Sequence, residues 1–329
     1  MELFLETTKH VFTSLALDDA RGRMILTSAF TGEVLCGDLA GVKGGLTVLA
    51  RTDDALGGVA VDPLSGDLFI SLSLARSVER IAMGAAGPPF QRIPVYANGF
   101  EGRRFTSPSA LAVSPTTGEL FFTDAGGEGE SSITNPIGAI YRELGGLRQI
   151  VSLCASGLQQ PAGIAVGPDG CVFVCERSAN RLLRYVPRGN HYADSVFYRF
   201  NGSFGPTAVA VSPKDGSIFV ALYEPQELLE PLDELPQDGA GEEERNNRPE
   251  GVVVVLGRDG REKGTIGVPG SQLRGVAVSK DGSTVYVLHT DEAMCVSRIY
   301  RCRIAEESAC EEREEGEEGV EVVVNEEKR

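Results

Sequence analysis

Three titratable side chains each follow a short apolar run, and their chemistry could serve a reaction: Asp124 after LFFT, Glu176 after VFVC and His289 after VYVL. Two carboxylates on neighbouring elements can perform acid–base chemistry when one of them has a raised pKa. An imidazole beside them could take part in the same proton transfers. In the competing interpretation each acid ties down a loop or pairs with an arginine, as Glu176 would with Arg181. We favour this structural role, because ion pairs within a scaffold give the same pattern.

The elements that must position these residues come from an internal repeat. A branched aliphatic residue, an alanine and a second aliphatic residue recur six times, and each copy leads through a glycine-centred turn into a second apolar run. The central residues are Ala16, Ala60, Ala112, Ala165, Ala210 and Ala277. Four short strands with their turns fill roughly 40–50 residues, which is close to this spacing. The sequence therefore predicts an all-β fold, a six-bladed β-propeller of four-stranded antiparallel blades.

The ring of blades needs a closing strand, because the last repeat has three evident strands and no fourth. We predict that the N-terminal segment, Glu2 to Leu5, supplies the outer strand of the last blade. The alternative is Val320 to Val324, a β-branched run near the C-terminus. Closure by either segment removes exposed sheet edges, which otherwise invite aggregation.

The net charge of −16 is concentrated in two segments. Residues 223–250 and 305–329 each carry a net charge of −8, so the rest of the chain is neutral. We predict a propeller over residues 1–304, with 223–250 as an acidic insert in blade five, and a mostly disordered acidic tail over 305–329. A neutral body disfavours nucleic acid as a partner, whereas a basic protein partner stays open.

Two further observations concern the cellular compartment in which the protein resides. No apolar run approaches the length of about 18 residues that a membrane span needs, and the N-terminus lacks the pattern of a secretory signal. Seven cysteines without regular spacing suit free thiols in a reducing compartment better than a disulfide framework. We therefore expect a cytoplasmic protein that does not bind membranes.

The segment GLQQPAGIAVGPDGCVFVCERSANRLLRYV, residues 157–186, carries a resemblance to known families. It resembles the NHL-repeat proteins in its Pro-x-Gly-aliphatic-Ala-Val, Asp-Gly and Asn-Arg-aliphatic elements. It also resembles the strictosidine synthase-like and gluconolactonase (senescence marker protein) superfamily. The likeness covers residues 10 to about 304 and implies a six-bladed propeller. These groups include lactonases, condensing enzymes and non-enzymatic interaction domains.

The resemblance to gluconolactonases implies a divalent cation on the propeller axis, held by Glu, Asn and Asp side chains where the inner strands begin. Such a cation acts as a Lewis acid on a lactone or ester carbonyl. In this chain the corresponding ring lies three residues before each central alanine and consists of Thr13, Gly57, Ser109, Ala162, Thr207 and Arg274. The ring contains no carboxylate or amide, and Arg274 would repel a cation. We therefore expect no metal and no other cofactor.

Three hypotheses of function follow. The first is a non-catalytic NHL-type propeller that presents a surface or an axial pocket to a protein or a small ligand, with the pocket formed by Thr13, Ser109, Ala162, Thr207 and Arg274. The alternative is a divergent hydrolase of a lactone or ester that uses Asp124, Glu176 and His289. A third possibility is the binding of a small anion by Arg274 in a funnel of small residues.

Overall fold

Each repeat forms one four-stranded antiparallel sheet, and six such sheets surround a common axis. The architecture comes from a computed structural model that describes residues 1–304 except 42–44, 85–86, 98, 127–130, 145–148, 202–204 and 225–250. The predicted all-β six-bladed propeller is confirmed. Within the described residues, no helix combines the length and the apolar character needed to cross a membrane.

The strands of the first three blades follow one another along the chain. Blade one consists of β2 (Phe12–Asp18), β3 (Arg23–Ser28), β4 (Glu33–Asp38) and β5 (Thr47–Arg51). Blade two consists of β6 (Leu56–Val61), β7 (Leu68–Leu72), β8 (Ser77–Ile81) and β9 (Arg92–Ala97). A short hairpin of β10 (Gly99–Phe100) and β11 (Arg103–Arg104) precedes blade three, which consists of β12 (Pro108–Val113), β13 (Leu120–Asp124), β14 (Gly138–Leu144) and β15 (Gln149–Leu158).

The last three blades repeat this order until the ring closes. Blade four consists of β16 (Pro161–Val166), β17 (Val172–Glu176), β18 (Arg181–Arg188) and β19 (His191–Arg199). Blade five consists of β20 (Pro206–Val211), β21 (Ile218–Leu222), β22 (Gly251–Leu256) and β23 (Glu262–Val268). Blade six consists of β24 (Leu273–Val278), β25 (Thr284–Asp291), β26 (Val296–Arg303) and β1 (Glu2–Thr7).

The N-terminal strand closes the ring as the sequence predicts. Strand β1 pairs antiparallel with β26 in blade six. Glu6 accepts a 2.6 Å hydrogen bond from Arg298, and the Phe4 ring packs edge-on against Tyr286 at 5.4 Å. The alternative closing segment, 320–324, lies outside the described residues, as does the whole tail 305–329. Closure thus joins the first residues of the chain to its last described strand.

Small residues occupy the inner strands because neighbouring blades approach each other closely at the axis. A Cβ atom on Gly58 would lie 2.5 Å from the carbonyl oxygen of Ser109, and one on Gly163 would lie 2.6 Å from the Cα of Ala208. Neither distance leaves room for a side chain. Outside this crowded centre, larger apolar side chains such as Phe122 and Leu182 fill the space between the sheets. The six described cysteines are all free, and Cys175 is fully buried in this core.

The two ends of the propeller differ in their loops. We use the name loop face for the end that carries the connections between second and third strands, such as residues 29–32, 73–76 and 292–295. The long connection of blade three, residues 125–137, and the acidic insert of blade five leave from this same face, because each joins a second strand to a third. Most of that insert, 225–250, lies outside the described residues.

Candidate functional site

The six residues of the axial ring occupy equivalent places in the six blades. The pairing of each inner strand with the second strand shifts register at its start, and the ring residue lies within every shift. Thr13, for example, falls between the paired residues Phe12 and Ser14. Such irregularities bend a strand and redirect its side chains, and they are common near functional sites. The structure thus confirms the common register, while the use of this ring as a pocket stays a prediction.

The two threonine hydroxyls of the ring join neighbouring blades. Thr13 Oγ1 lies 3.0 Å from the carbonyl oxygens of both Leu56 and Gly57 in blade two. Thr207 Oγ1 donates a 2.8 Å hydrogen bond to the carbonyl oxygen of Leu273 in blade six. These oxygens therefore serve contacts between blades and do not point to a bound ligand.

The backbone oxygens of the ring are engaged in the same way. Thr27 Oγ1 donates to the carbonyl of Gly57 at 3.0 Å, and Thr123 Oγ1 donates to the carbonyl of Ala162 at 2.9 Å. In each case a hydroxyl on a second strand reaches the ring residue of the next blade. Buried carbonyls need such partners, because an unpaired one costs about 1–3 kcal/mol. These bonds were not predicted from the sequence, although a Thr or Ser recurs at this position of the second strand in the first three blades.

Arg274 is the only charged member of the ring, and its charge is compensated. Its guanidinium hydrogen-bonds to the carboxylate of Glu292 and lies 4.9 Å from the centre of the Tyr223 ring. Arg177 approaches the same aromatic ring at 4.7 Å. Cation–π contacts and ion pairs of this kind fix the direction of a long side chain. The structure therefore holds Arg274 against Glu292 and Tyr223, and the binding of a small anion by this side chain stays a prediction.

Asp124 is buried and anchors the segment that leads into blade three. Its carboxylate accepts hydrogen bonds from the backbone N–H groups of Thr106 at 2.9 Å and Ser107 at 2.5 Å, and from Thr106 Oγ1 at 2.8 Å. A carboxylate is well suited to this place because it accepts several hydrogen bonds at once. This geometry agrees with the interpretation in which the acid ties down a loop.

Glu176 has the corresponding role in blade four. One carboxylate oxygen accepts a 2.7 Å hydrogen bond from the backbone N–H of Gln159, and the other accepts a 2.5 Å bond from Nε of Arg181. The side chain is completely buried. The pairing of Glu176 with Arg181 is the ion pair that the sequence suggested. Asp124 and Glu176 therefore lie on neighbouring blades. The carboxylate of each accepts hydrogen bonds from its own blade or from the segment that leads into it.

His289 lies apart from the two acids. It belongs to blade six, three blades away from Asp124, and hence on the opposite side of the axis. Burial lowers the pKa of its imidazole to about 4, helped by the charge of Arg298 and opposed by Asp291. Gly270 covers the ring so closely that a Cβ there would lie 2.4 Å from Nε2. The three predicted catalytic residues do not converge on one place, and His289 is a neutral packed side chain at neutral pH.

The divalent cation implied by the gluconolactonase resemblance does not fit this axis. Thr13 and Thr207 use their hydroxyls between blades, the side chain of Ala162 has no donor atom, and Arg274 brings a positive charge. Hard cations take several oxygen ligands, usually including carboxylates. Among the described residues, no group of three or more His, Cys, Asp or Glu side chains could hold a metal ion.

The loop face carries a feature that the sequence reasoning missed. Four large apolar side chains stand exposed on the connections between second and third strands in four consecutive blades, six, one, two and three. They are Met294 (71% exposed), Phe30 (72%), Leu74 (77%) and Ile133 (67%). On the described loops of the opposite face, Leu64 is the only comparable side chain. The sequence pattern that could have predicted this feature is a bulky apolar residue in a turn whose other residues are small or polar.

Comparisons with known proteins agree with the fold. No protein-family profile matches the chain, and no curated protein sequence matches it. Among solved structures, a gluconolactonase from Xanthomonas campestris superposes with a TM-score of 0.65 at 17% identity, covering 89% of this chain and 86% of its own. Regucalcin from Agrobacterium tumefaciens, described as a calcium-binding protein, has a TM-score of 0.65 at 19% identity, covering 91% and 92%. A luciferin-regenerating enzyme also has a TM-score of 0.65, at 12% identity, covering 92% of each chain.

Sequence identities this low establish a shared fold, and they do not establish a shared activity or site. The resemblance of this chain to gluconolactonase-type propellers is confirmed at that level. The names of the solved structures belong to those proteins, and the contacts described above separate this axis from the cation site that the resemblance implied.

Proposed function

We propose that this chain is a binding propeller that holds another protein on its loop face and has no catalytic centre on its axis. The exposed apolar side chains of that face carry the proposal. Met294, Phe30, Leu74 and Ile133 project from four consecutive blades, and we call them the apolar tips. Large apolar side chains exposed at one end of a propeller favour contact with another protein there, because burying apolar surface against a partner is favourable.

The acidic insert indicates the chemistry of the partner. It leaves blade five after Leu222 and returns at Gly251, both on the loop face. It contains ten acidic residues and two arginines, a net charge of −8. Complementary charge raises the rate and the specificity of association. The partner that suits this face is therefore a protein with an apolar patch bordered by lysine or arginine.

Partner capture with matched variants tests the proposal. The test variant combines Phe30→Ser, Leu74→Ser and Met294→Ser. The control combines Leu64→Ser, Ile93→Ser and Val196→Ser, which removes exposed apolar groups elsewhere (71%, 44% and 42% exposed). We expect that at least one protein from an extract of the source cells is retained by both the native chain and the control. The test variant should not retain it. Equal retention by all three chains would contradict the proposal.

A hydrolase of lactones or esters is the second candidate. The comparisons favour it over a non-catalytic scaffold, since the similar solved structures include proteins named as enzymes. Asp124 and Glu176 on adjacent blades are then its acid–base groups. Turnover of simple lactones or aryl esters that disappears in folded Asp124→Asn and Glu176→Gln variants would support it. Turnover that survives both changes would exclude these residues as catalysts.

A further inference from the structure

A groove opens between blades five and six at the end opposite the loop face. Its volume is about 510 Å³. The floor is apolar: Phe219 is 2% exposed, and Val255, Ile266 and Ile304 are partly buried around it. Such a floor suits an aliphatic segment, because apolar surface gains free energy when it leaves water.

The rim of the groove is positively charged. Lys214, Lys263 and Arg303 line it, and among its described lining residues Asp215 is the one acidic side chain. Asp215 pairs with Lys263 at 3.5 Å, so the described part of the lining keeps a net positive charge. Arg303 is exposed, and the Lys263 side chain is 45% exposed. The groove therefore combines an apolar floor with cations at its edge in a body whose overall charge is neutral.

The acidic tail has the complementary pattern and begins at this place. Ile304, the last residue before the tail, lines the groove itself. The tail carries eleven acids and three basic residues, and its one aliphatic run is Val320 to Val324, interrupted and flanked by glutamates in EEGVEVVVNEE. Fifteen residues lie between Ile304 and Val320, and this tether can span at most about 54 Å. The tether therefore allows the run to fold back, at an effective concentration on the order of millimolar.

From this complementarity we infer that the valine run of the C-terminal tail, residues 320–324, binds in the groove between blades five and six of its own chain. The valines contact Phe219 and its neighbours, and the flanking glutamates meet Lys214, Lys263 and Arg303. The acidic insert is the weaker occupant, because it leaves the chain from the loop face at the other end of the molecule.

Zero-length cross-linking of the full chain tests the inference. A carbodiimide joins a lysine amine to a carboxylate in contact with it, and mass spectrometry identifies the pair. At low ionic strength, where such contacts are least screened, we expect Lys214 and Lys263 to couple to Glu321, Glu326 or Glu327. Lys9 lies beyond β1 on the loop face and is the control amine. A mixture of ¹⁵N-labelled and unlabelled chains separates links within a chain from links between two copies.

Two outcomes would overturn the inference. One is coupling of the distal glutamates to Lys9 as often as to Lys263, or only between copies. The other is coupling of Lys214 and Lys263 chiefly to glutamates of the insert. A charge-preserving variant, Val322→Ser/Val324→Ser, tests the apolar contact separately, and we expect about ten-fold fewer links from it. Unchanged links in that variant would show attraction by charge alone and would also contradict binding in the groove.

Discussion

The hydroxyl of Thr207 in blade five donates a 2.8 Å hydrogen bond to the carbonyl oxygen of Leu273, where blade six begins. This bond crosses from one sheet to the next at the ring position where the sequence resemblance to gluconolactonases implies a cation. Thr13 makes the equivalent contact from blade one to Leu56 of blade two. Side chains at the axis therefore hold the ring of blades together.

Replacing Thr207 by valine tests this structural role. Valine keeps the shape of threonine and removes the donor, so the free energy of unfolding should fall by about 1–2 kcal/mol. The midpoint of thermal unfolding should fall by roughly 2–5 °C. Thr47→Val on the exposed outer strand β5 is the control and should change little. Equal effects of the two substitutions in calorimetry would argue against the bond between blades.

Asp124→Asn should destabilise the fold. The amide keeps one acceptor oxygen and loses the charge that receives the N–H groups of Thr106 and Ser107, so we expect a loss of about 2–3 kcal/mol. Denaturant unfolding measures this loss. Asp53→Asn, on the connection between blades one and two, is the control for the change of charge. An Asp124→Asn chain as stable as the native one would reopen a functional role for this buried acid.

His289 should make the protein less stable in weak acid. Its folded pKa of about 4 lies below the ordinary value of 6.5, so the unfolded chain binds the proton more readily. The contribution of neutral His289 to the free energy of unfolding is therefore fully present above pH 6.5. It is lost as the pH falls towards 4, and the loss amounts to about 3 kcal/mol. His289→Leu, which copies Leu72 and Leu222 at the same register position, should flatten the dependence of stability on pH.

Urea unfolding of the native chain and of His289→Leu, measured at several pH values between 7 and 4, gives the difference in slope. Substitution of the exposed His191 by glutamine controls for the number of histidines. Parallel curves for the native chain and His289→Leu would contradict this prediction.

Divalent cations should not stabilise the protein. The hydroxyls of Thr13 and Thr207 serve contacts between blades, and the part of the chain that the structure describes offers Ca²⁺, Mn²⁺ or Zn²⁺ no cluster of carboxylate ligands. The thermal midpoint in millimolar cation should match that in chelator. A saturable rise that Thr13→Val or Thr207→Val abolishes would place a cation on the axis after all, because a ligand of the native state stabilises it.

The sequence predicted the scaffold well because the repeat imposes the same local requirements six times. Ala165 and its five equivalents suit a crowded inner strand, and the glycine-centred turn that follows each of them leads into the second strand, so every repeat forms one blade. The register of the axial ring followed from the same spacing. The N-terminal closure was also predictable, since Glu2 to Leu5 was the apolar segment left before the first blade.

The candidate sites were less predictable, because they depend on contacts between distant residues. Spacing alone cannot show that Glu292 and Tyr223 hold Arg274, or that His289 lies across the axis from Asp124. The apolar tips were missed for a related reason: an isolated Leu74 or Phe30 in a turn is unremarkable until four blades bring such side chains to one face.

Binding by the apolar tips is the central claim, and a dissociation constant tests it most directly. Once a protein that the native chain retains has been purified, isothermal titration calorimetry should measure its dissociation constant with three chains. These are the native chain, the Phe30→Ser/Leu74→Ser/Met294→Ser variant and the Leu64→Ser/Ile93→Ser/Val196→Ser control. Removing three buried apolar contacts should weaken binding by a factor on the order of 100 or more, with the control unchanged. Native affinity in the variant that lacks the apolar tips would contradict the account.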